Sequence, residues 1–285
     1  MKPEIIDGIK FQIGIDGSKT LLIESDRLNE CINYVLEGHA KSIFINYFQG
    51  YLLPEIDFLS KLSDVLEGLH LPESKFNIEV VNSLHKLKYL GIADNKIDNL
   101  NLSNFPNMVS LACEYSPRLK NLESCKNLTN LTITGYKPRS KDLEELSVHT
   151  KLEELHLFKP DILNLKGIEN CTQLKKIEIF SARNLTILNA LTPLNNLNSL
   201  ELFQCKNIQD FDQLGNLKNI KKIILSECGE IKNLKFLKEL KELEFFSFWD
   251  TTVLDGNLNY CNGIKFVGFK DKREYTHKVN DFKNK

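Results

Sequence analysis

LNSLELFQCKNIQDFDQLGNLKNI, residues 197–220, places apolar side chains at Leu197, Leu200, Leu202, Cys205, Ile208, Phe211, Leu214, Leu217 and Ile220. Every step is three residues except the single step of two from Leu200 to Leu202. A step of two is the period of a β-strand, in which alternate side chains share a face. Steps of three belong to 3₁₀ turns or to extended, polyproline-like coil, whereas an α-helical return would alternate steps of three and four. The stretch reads as one short strand followed by a slender, mostly non-α arc. Such a unit cannot bury its own apolar face, so it needs copies of itself on either side.

The copies are present. LTNLTI from Leu128, LEELHL from Leu152, LKKIEI from Leu174, IKKIIL from Ile220, LEFFSF from Leu243 and IKFVGF from Ile264 repeat the strand, and the unit restarts every 20 to 24 residues. LHKLKYLGIADNKIDNL around Leu87 and MVSLAC at Met108 continue the series toward the N-terminus, with fainter copies at AKSIFI from Ala40 and LEGLHL from Leu66. About eleven strand segments thus lie between residues 40 and 269. Stacked, they predict an α/β repeat solenoid: a curved body with a concave parallel β-sheet and a convex side of 3₁₀ turns and coil.

The pattern LxxLxLxxNxIxxL, present as Leu87, Leu90, Ile92, Asn95, Ile97 and Leu100, resembles the leucine-rich repeat, in the short form found in internalin-like bacterial proteins. The resemblance covers roughly residues 40–270 and is specific for fold, while function depends on what the fold displays. The asparagine of the pattern normally satisfies backbone groups where strand turns into arc. Later units carry Ser116, Tyr136, Pro160, Ala182, Cys205, Cys228 and Thr251 there, which predicts a less regular ladder.

An open solenoid needs covers at its ends. Residues 10–24, KFQIGIDGSKTLLIE, alternate Phe11, Ile13 and Ile15 up to Asp16-Gly17 and resume at Leu21 and Ile23, the pattern of a hairpin. Asp26 precedes a helical series of Leu28, Cys31, Ile32, Val35 and Leu36 that closes near Gly38. Residues 1–39 are therefore expected to form an N-terminal hairpin-helix cap and residues 40–270 the solenoid. Residues 271–285 are polar and outside the repeat, as expected of a short final cover and a frayed tail.

Composition narrows the function. The 285-residue chain is 42% hydrophobic, enough for a continuous core, and its formal net charge of -1 gives no global pull toward nucleic acid or an anionic membrane. MKPEIIDGIKFQIGIDG lacks the apolar stretch of an export signal, and no apolar run approaches the ~20 residues of a membrane span. Seven scattered cysteines fit reduced thiols better than a disulfide framework. A soluble cytoplasmic protein is expected.

The residue after the second strand leucine faces the concave surface in each unit: Asn46, Pro72, Ala93, Glu114, Thr134, Phe158, Phe180, Phe203, Ser226, Trp249, Lys270. Three phenylalanines fall in successive rungs, where strands ~4.8 Å apart let the rings touch. Trp249 stands two rungs on. Beside them lie His156, Glu178 and Glu201 in one column and Gln204, Glu227 and Asp250 in the other. Aromatics flanked by carboxylates have the composition of a binding hot spot, so His156, Phe158, Glu178, Phe180, Glu201, Phe203, Glu227, Trp249 and Asp250 are the candidate partner contacts. Two other readings stand beside this one. The rings could brace the stack, although Ala93, Thr134 and Ser226 show that the column tolerates small side chains. His156 beside Glu178 could be the acid/base pair of an enzyme regulator or weak hydrolase, although such a surface pair is more often a salt bridge. Cys205 and Cys228 occupy equivalent positions without further ligands, so neither metal nor cofactor is called for. Concave carboxylates disfavour nucleic acid. The expectation is a non-enzymatic module that grips a protein partner, with no membrane role; the resemblance allows a bacterial immunity or inhibitor protein, a scaffold or a host-directed effector.

Overall fold

A computed structural model describes residues 3–72, 76–93, 100–116 and 118–282. The chain divides into two compact units, Met1–Leu128 and Thr129–Lys285. In the first, β1 (Glu4–Ile6), β2 (Ile9–Ile13) and β3 (Lys19–Leu22) run antiparallel. The helix α1 (Leu28–Leu36) follows and buries Cys31, Ile32 and Val35. It ends as a Schellman motif: Gly38, at φ 83°, donates to Val35 O and His39 donates to Tyr34 O. From here the pairing is parallel, β3 with β4 (Ser42–Phe44), then β5 (Gly68–Leu71), β6 (Tyr89–Ile92) and β7 (Ser110–Glu114). Ile15 departs from the expected alternation. The strand ends at Ile13, Gly14 N–H bonds Ser18 O, and Ile15 sits at the turn tip, 99% exposed.

The second unit repeats the parallel pairing through β8 (Asn130–Thr134), β9 (Glu154–Phe158), β10 (Lys176–Phe180), β11 (Ser199–Phe203) and β12 (Lys222–Ser226). A short strand β13 (Glu230–Ile231) then lies on the arc, β14 (Phe245–Ser247) rejoins the sheet, β15 (Thr252–Val253) pairs with β13, and β16 (Phe266–Gly268) pairs with β14. The steps of three fall on 3₁₀ turns such as Asp212–Asn216 and Lys235–Glu239, and α1 is the only α-helix among the described residues. The series that opens the repeat, Leu197 through Ile220, is buried at each of its nine positions. This is a leucine-rich repeat solenoid: strands carry one wall of the core and 3₁₀ arcs the other.

At the C-terminal end of the second unit the repeat leucines become Phe246, Phe248 and Phe269, all buried. Phe248 stacks on Phe269 at 4.9 Å, and Phe269 meets Tyr275 at 5.8 Å and Phe282 at 6.0 Å. The segment expected to be polar thus contributes two buried aromatic side chains; its last three residues lie outside the described ones.

The asparagine ladder, expected to be less regular in the later units, keeps a side-chain donor at Cys205, Cys228 and Thr251, whereas Pro160 and Ala182 have none to offer. Cys205 donates to Ile179 O at 3.7 Å, Cys228 to Leu202 O at 3.3 Å and Thr251 to Leu225 O at 2.6 Å, each to the corresponding carbonyl of the preceding unit. Thiol and hydroxyl donors replace the amide at the same place in the turn. Asn95 and Ile97, on which the motif is most complete, lie outside the described residues. All seven cysteines are buried free thiols. Burial pushes Cys113 and Cys261 up to about 12, and Cys125 and Cys171 to about 11.

Candidate functional site

Alternation along each strand leaves three outward positions per rung, and the parallel register aligns them into columns. The third column holds the phenylalanines: Phe158 pairs with Phe180, and Phe180 with Phe203. Their ring centroids are 6.2 Å and 5.5 Å apart, the second pair stacked. Each ring is half-buried, because neighbouring rings cover part of its faces. Ser226 continues the column, and Trp249 follows just beyond β14, 51% exposed.

The middle column brings His156 and Glu178 together, with Nδ1 and Oε2 3.0 Å apart. The imidazole's other nitrogen lies 3.4 Å from Glu154, and Lys176 Nζ lies 3.3 Å from Glu178. Glu201 is not the water-facing carboxylate that alternation implies: it is 8% exposed. Lys222 Nζ lies 2.9 Å and Lys176 Nζ 3.8 Å from its Oε1, and Ser199 Oγ donates to it at 3.1 Å. Burial alone would raise the Glu201 pKa, but the hydrogen bond and charge of Lys222, the charge of Lys176 and the Ser199 hydroxyl outweigh it and hold the carboxyl below its ordinary value.

Lys176 and Lys222 belong to the first column, which the sequence reading passed over. That column also carries Phe245 and Phe266, stacked at 4.3 Å with Lys222 Nζ 5.5 Å above the Phe245 ring. Contacts therefore run without a gap from Glu154 through His156, Glu178, Lys176, Glu201 and Lys222 to Phe245 and Phe266. The signal was available in the residue just before the first strand leucine, which shares the outward parity of the other two. Counting it lowers the apparent carboxylate excess, since both lysines neutralise glutamates of the middle column while Glu154 adds one carboxylate.

The positions after the phenylalanines, Lys159, Ser181, Gln204, Glu227 and Asp250, all adopt the left-handed conformation, with φ between 51° and 59°. Gly135, the equivalent residue one unit earlier, has φ 70°. Each of the first four donates its N–H to the carbonyl of the third-column residue in the next unit, as in Ser181 N to Phe203 O at 2.8 Å. This turn fixes the backbone of the aromatic column. Side chains along it form a second chain, Ser181 Oγ to Gln204 Oε1 at 2.6 Å and Gln204 Nε2 to Glu227 Oε1 at 3.3 Å, while Asp250 lies 3.4 Å from Lys270.

Among the described residues no group of three or more His, Cys, Asp or Glu side chains could hold a metal ion, and no helix is long and apolar enough to cross a membrane. No family model matches the sequence, and no curated protein does. The likeness is to solved structures. A Listeria monocytogenes internalin, InlF, superposes with a TM-score of 0.66 at 17% identity over 90% of this chain and 82% of its own. The leucine-rich repeat domain of the type III effector XopL superposes with a TM-score of 0.55 at 15% identity over 70% of this chain and 74% of its own. At these identities the likeness is one of fold.

Proposed function

We propose that this leucine-rich repeat chain of internalin-like fold is a non-enzymatic binding module, and that the sheet face of its second unit grips a protein partner. The observation that carries the reading is the registered aromatic column Phe158, Phe180 and Phe203. It is continued by Trp249 and lies alongside the charged chain from Glu154 to Lys222, which itself ends on Phe245 and Phe266. Rigid aromatic area bordered by charges that are already held in place binds with little ordering cost, which favours a protein surface over a flexible small ligand. His156 and Glu178 serve this face as part of the ion-pair chain: Glu154 and Lys176 bracket the pair, which orients it for contact more than for proton transfer. Seven buried thiols support a reducing compartment such as the bacterial cytoplasm, where an inhibitor, immunity or scaffold role would be exercised.

The test is capture by three immobilised proteins from a lysate of the source cells: the wild type, Phe180→Ala/Phe203→Ala, and Lys206→Ala on the arc. A partner retained by the wild type and by Lys206→Ala but lost from the double variant is the expected result. Identical retention by all three would remove the sheet face from the proposal.

A further inference from the structure

The first unit carries an exposed apolar surface that neither the repeat nor its core requires. Between β4 and the 3₁₀ turn Asp57–Leu62, the loop Tyr47–Leu53 presents Tyr47, Phe48, Leu52 and Leu53 to solvent, Phe48 at 79%, Tyr47 at 68% and Leu52 at 64%. The display is built and held. Asn46 accepts from Phe48 N at 2.7 Å, and Tyr51 N closes the loop on Asn46 O at 3.1 Å. Gly50, at φ 105°, makes the bend and accepts from Ser25 N, and Ser25 Oγ accepts from Leu52 N at 2.6 Å. Tyr51 is the anchor: fully buried, its ring meets Phe58 at 6.0 Å and Phe76 at 5.7 Å, and its hydroxyl donates to Glu55 O. One tyrosine inside and four large apolar side chains outside, on a loop tied at both ends, is a rigid apolar platform.

The surroundings are acidic. Glu55 and Asp57 follow the loop directly and lie close enough to Tyr51 to raise its pKa, after burial, to about 12. Asp26 adjoins Ser25, the residue that ties the loop. Among the described residues none of these three carboxylates has an ion-pair partner, whereas Glu24 is taken by Lys10 and Arg27 by Glu30. Among the described residues Lys61 is the single lysine or arginine from residue 24 to residue 64 without an ion-pair partner, and Asp64 adds a fourth carboxylate without one. A surface that is apolar at its centre and negative at its edge matches an occupant of the inverse pattern. It also repels an anionic bilayer.

We propose that the loop Tyr47–Leu53 is a second docking surface, which takes a partner segment both apolar and basic. The probe is a labelled amphipathic peptide of about 18 residues with leucine on one helical face and lysine on the other, set against a counterpart with glutamate for lysine. The wild-type protein should bind the lysine peptide and not the glutamate peptide. Phe48→Ala/Leu52→Ala should weaken binding roughly tenfold or more with an unchanged melting temperature, since both side chains are exposed. Glu55→Gln/Asp57→Asn should weaken it several-fold at low salt and little at high salt. Equal binding of both peptides, no binding of the lysine peptide, or undiminished binding by Phe48→Ala/Leu52→Ala would overturn the proposal. So would a loop-dependent dimer in sedimentation, or loop-dependent binding to phosphatidylserine vesicles, either of which would assign the loop to another occupant.

Discussion

Lys159 holds φ at 52° with an exposed side chain that has no hydrogen-bond or ion-pair partner among the described residues. The left-handed conformation costs a non-glycine residue about 1–2 kcal/mol, and glycine's greater freedom in the unfolded chain returns about 0.5–1 kcal/mol of that. Lys159→Gly should therefore stabilise the protein by roughly 0.5–1 kcal/mol in urea unfolding, and Lys159→Ala should not. Glu201 makes the opposite kind of contribution. Its folded pKa is held below the ordinary 4.5, so its stabilisation is complete above that value and is lost as the pH falls through the lower, folded one. Glu201→Gln should cost on the order of 1 kcal/mol at about pH 6 and progressively less as the pH falls below 4.5. A cost that does not fall with pH would show that the Lys222 contact contributes little. The outward parity of Glu201 could be read from Leu200 and Leu202 alone. Its burial could not, because that depends on Lys176 and Lys222 reaching across from two neighbouring rungs, a contact between residues 21 or more positions apart.

Thr251 is the most exacting member of the ladder: its hydroxyl donates to Leu225 O and accepts from Cys228 N at 2.8 Å, inside the core. Thr251→Val keeps the shape and removes both bonds, leaving a buried carbonyl and a buried amide, each of which costs about 1–3 kcal/mol when unsatisfied. A loss of about 2–4 kcal/mol is expected for Thr251→Val in denaturant unfolding, and a clearly smaller one for Thr251→Ser, which retains the hydroxyl. Equal losses would assign Thr251 to packing. At this scale the strands and 3₁₀ arcs were legible because apolar spacing maps directly onto backbone period. The ladder was legible in part: Pro160 and Ala182 carry no side-chain donor, whereas Cys205, Cys228 and Thr251 carry one of comparable reach to the asparagine amide and keep the bond. Ile15 was misread because alternation continued one residue into a turn that Gly14 and Ser18 close.

Across the molecule, repetition made the architecture readable from the sequence, since each unit touches its neighbours and little else, and one period fixes them all. The identity of a partner leaves no such trace, and the loop Tyr47–Leu53 falls between strand signals where no period exists to betray it. The central claim concerns the aromatic column. Because its rings are half-buried, removing two of them should lower stability by about 1–2 kcal/mol through lost ring contacts, so stability alone does not separate a binding strip from a brace. The deciding measurement is the affinity of folded Phe180→Ala/Phe203→Ala for the captured partner, by titration calorimetry well below its melting temperature. An affinity at least about thirty-fold weaker than wild type, more than ~2 kcal/mol, is the expected result. An affinity equal to wild type, with the stability loss present, would contradict the account and leave Phe203 a brace.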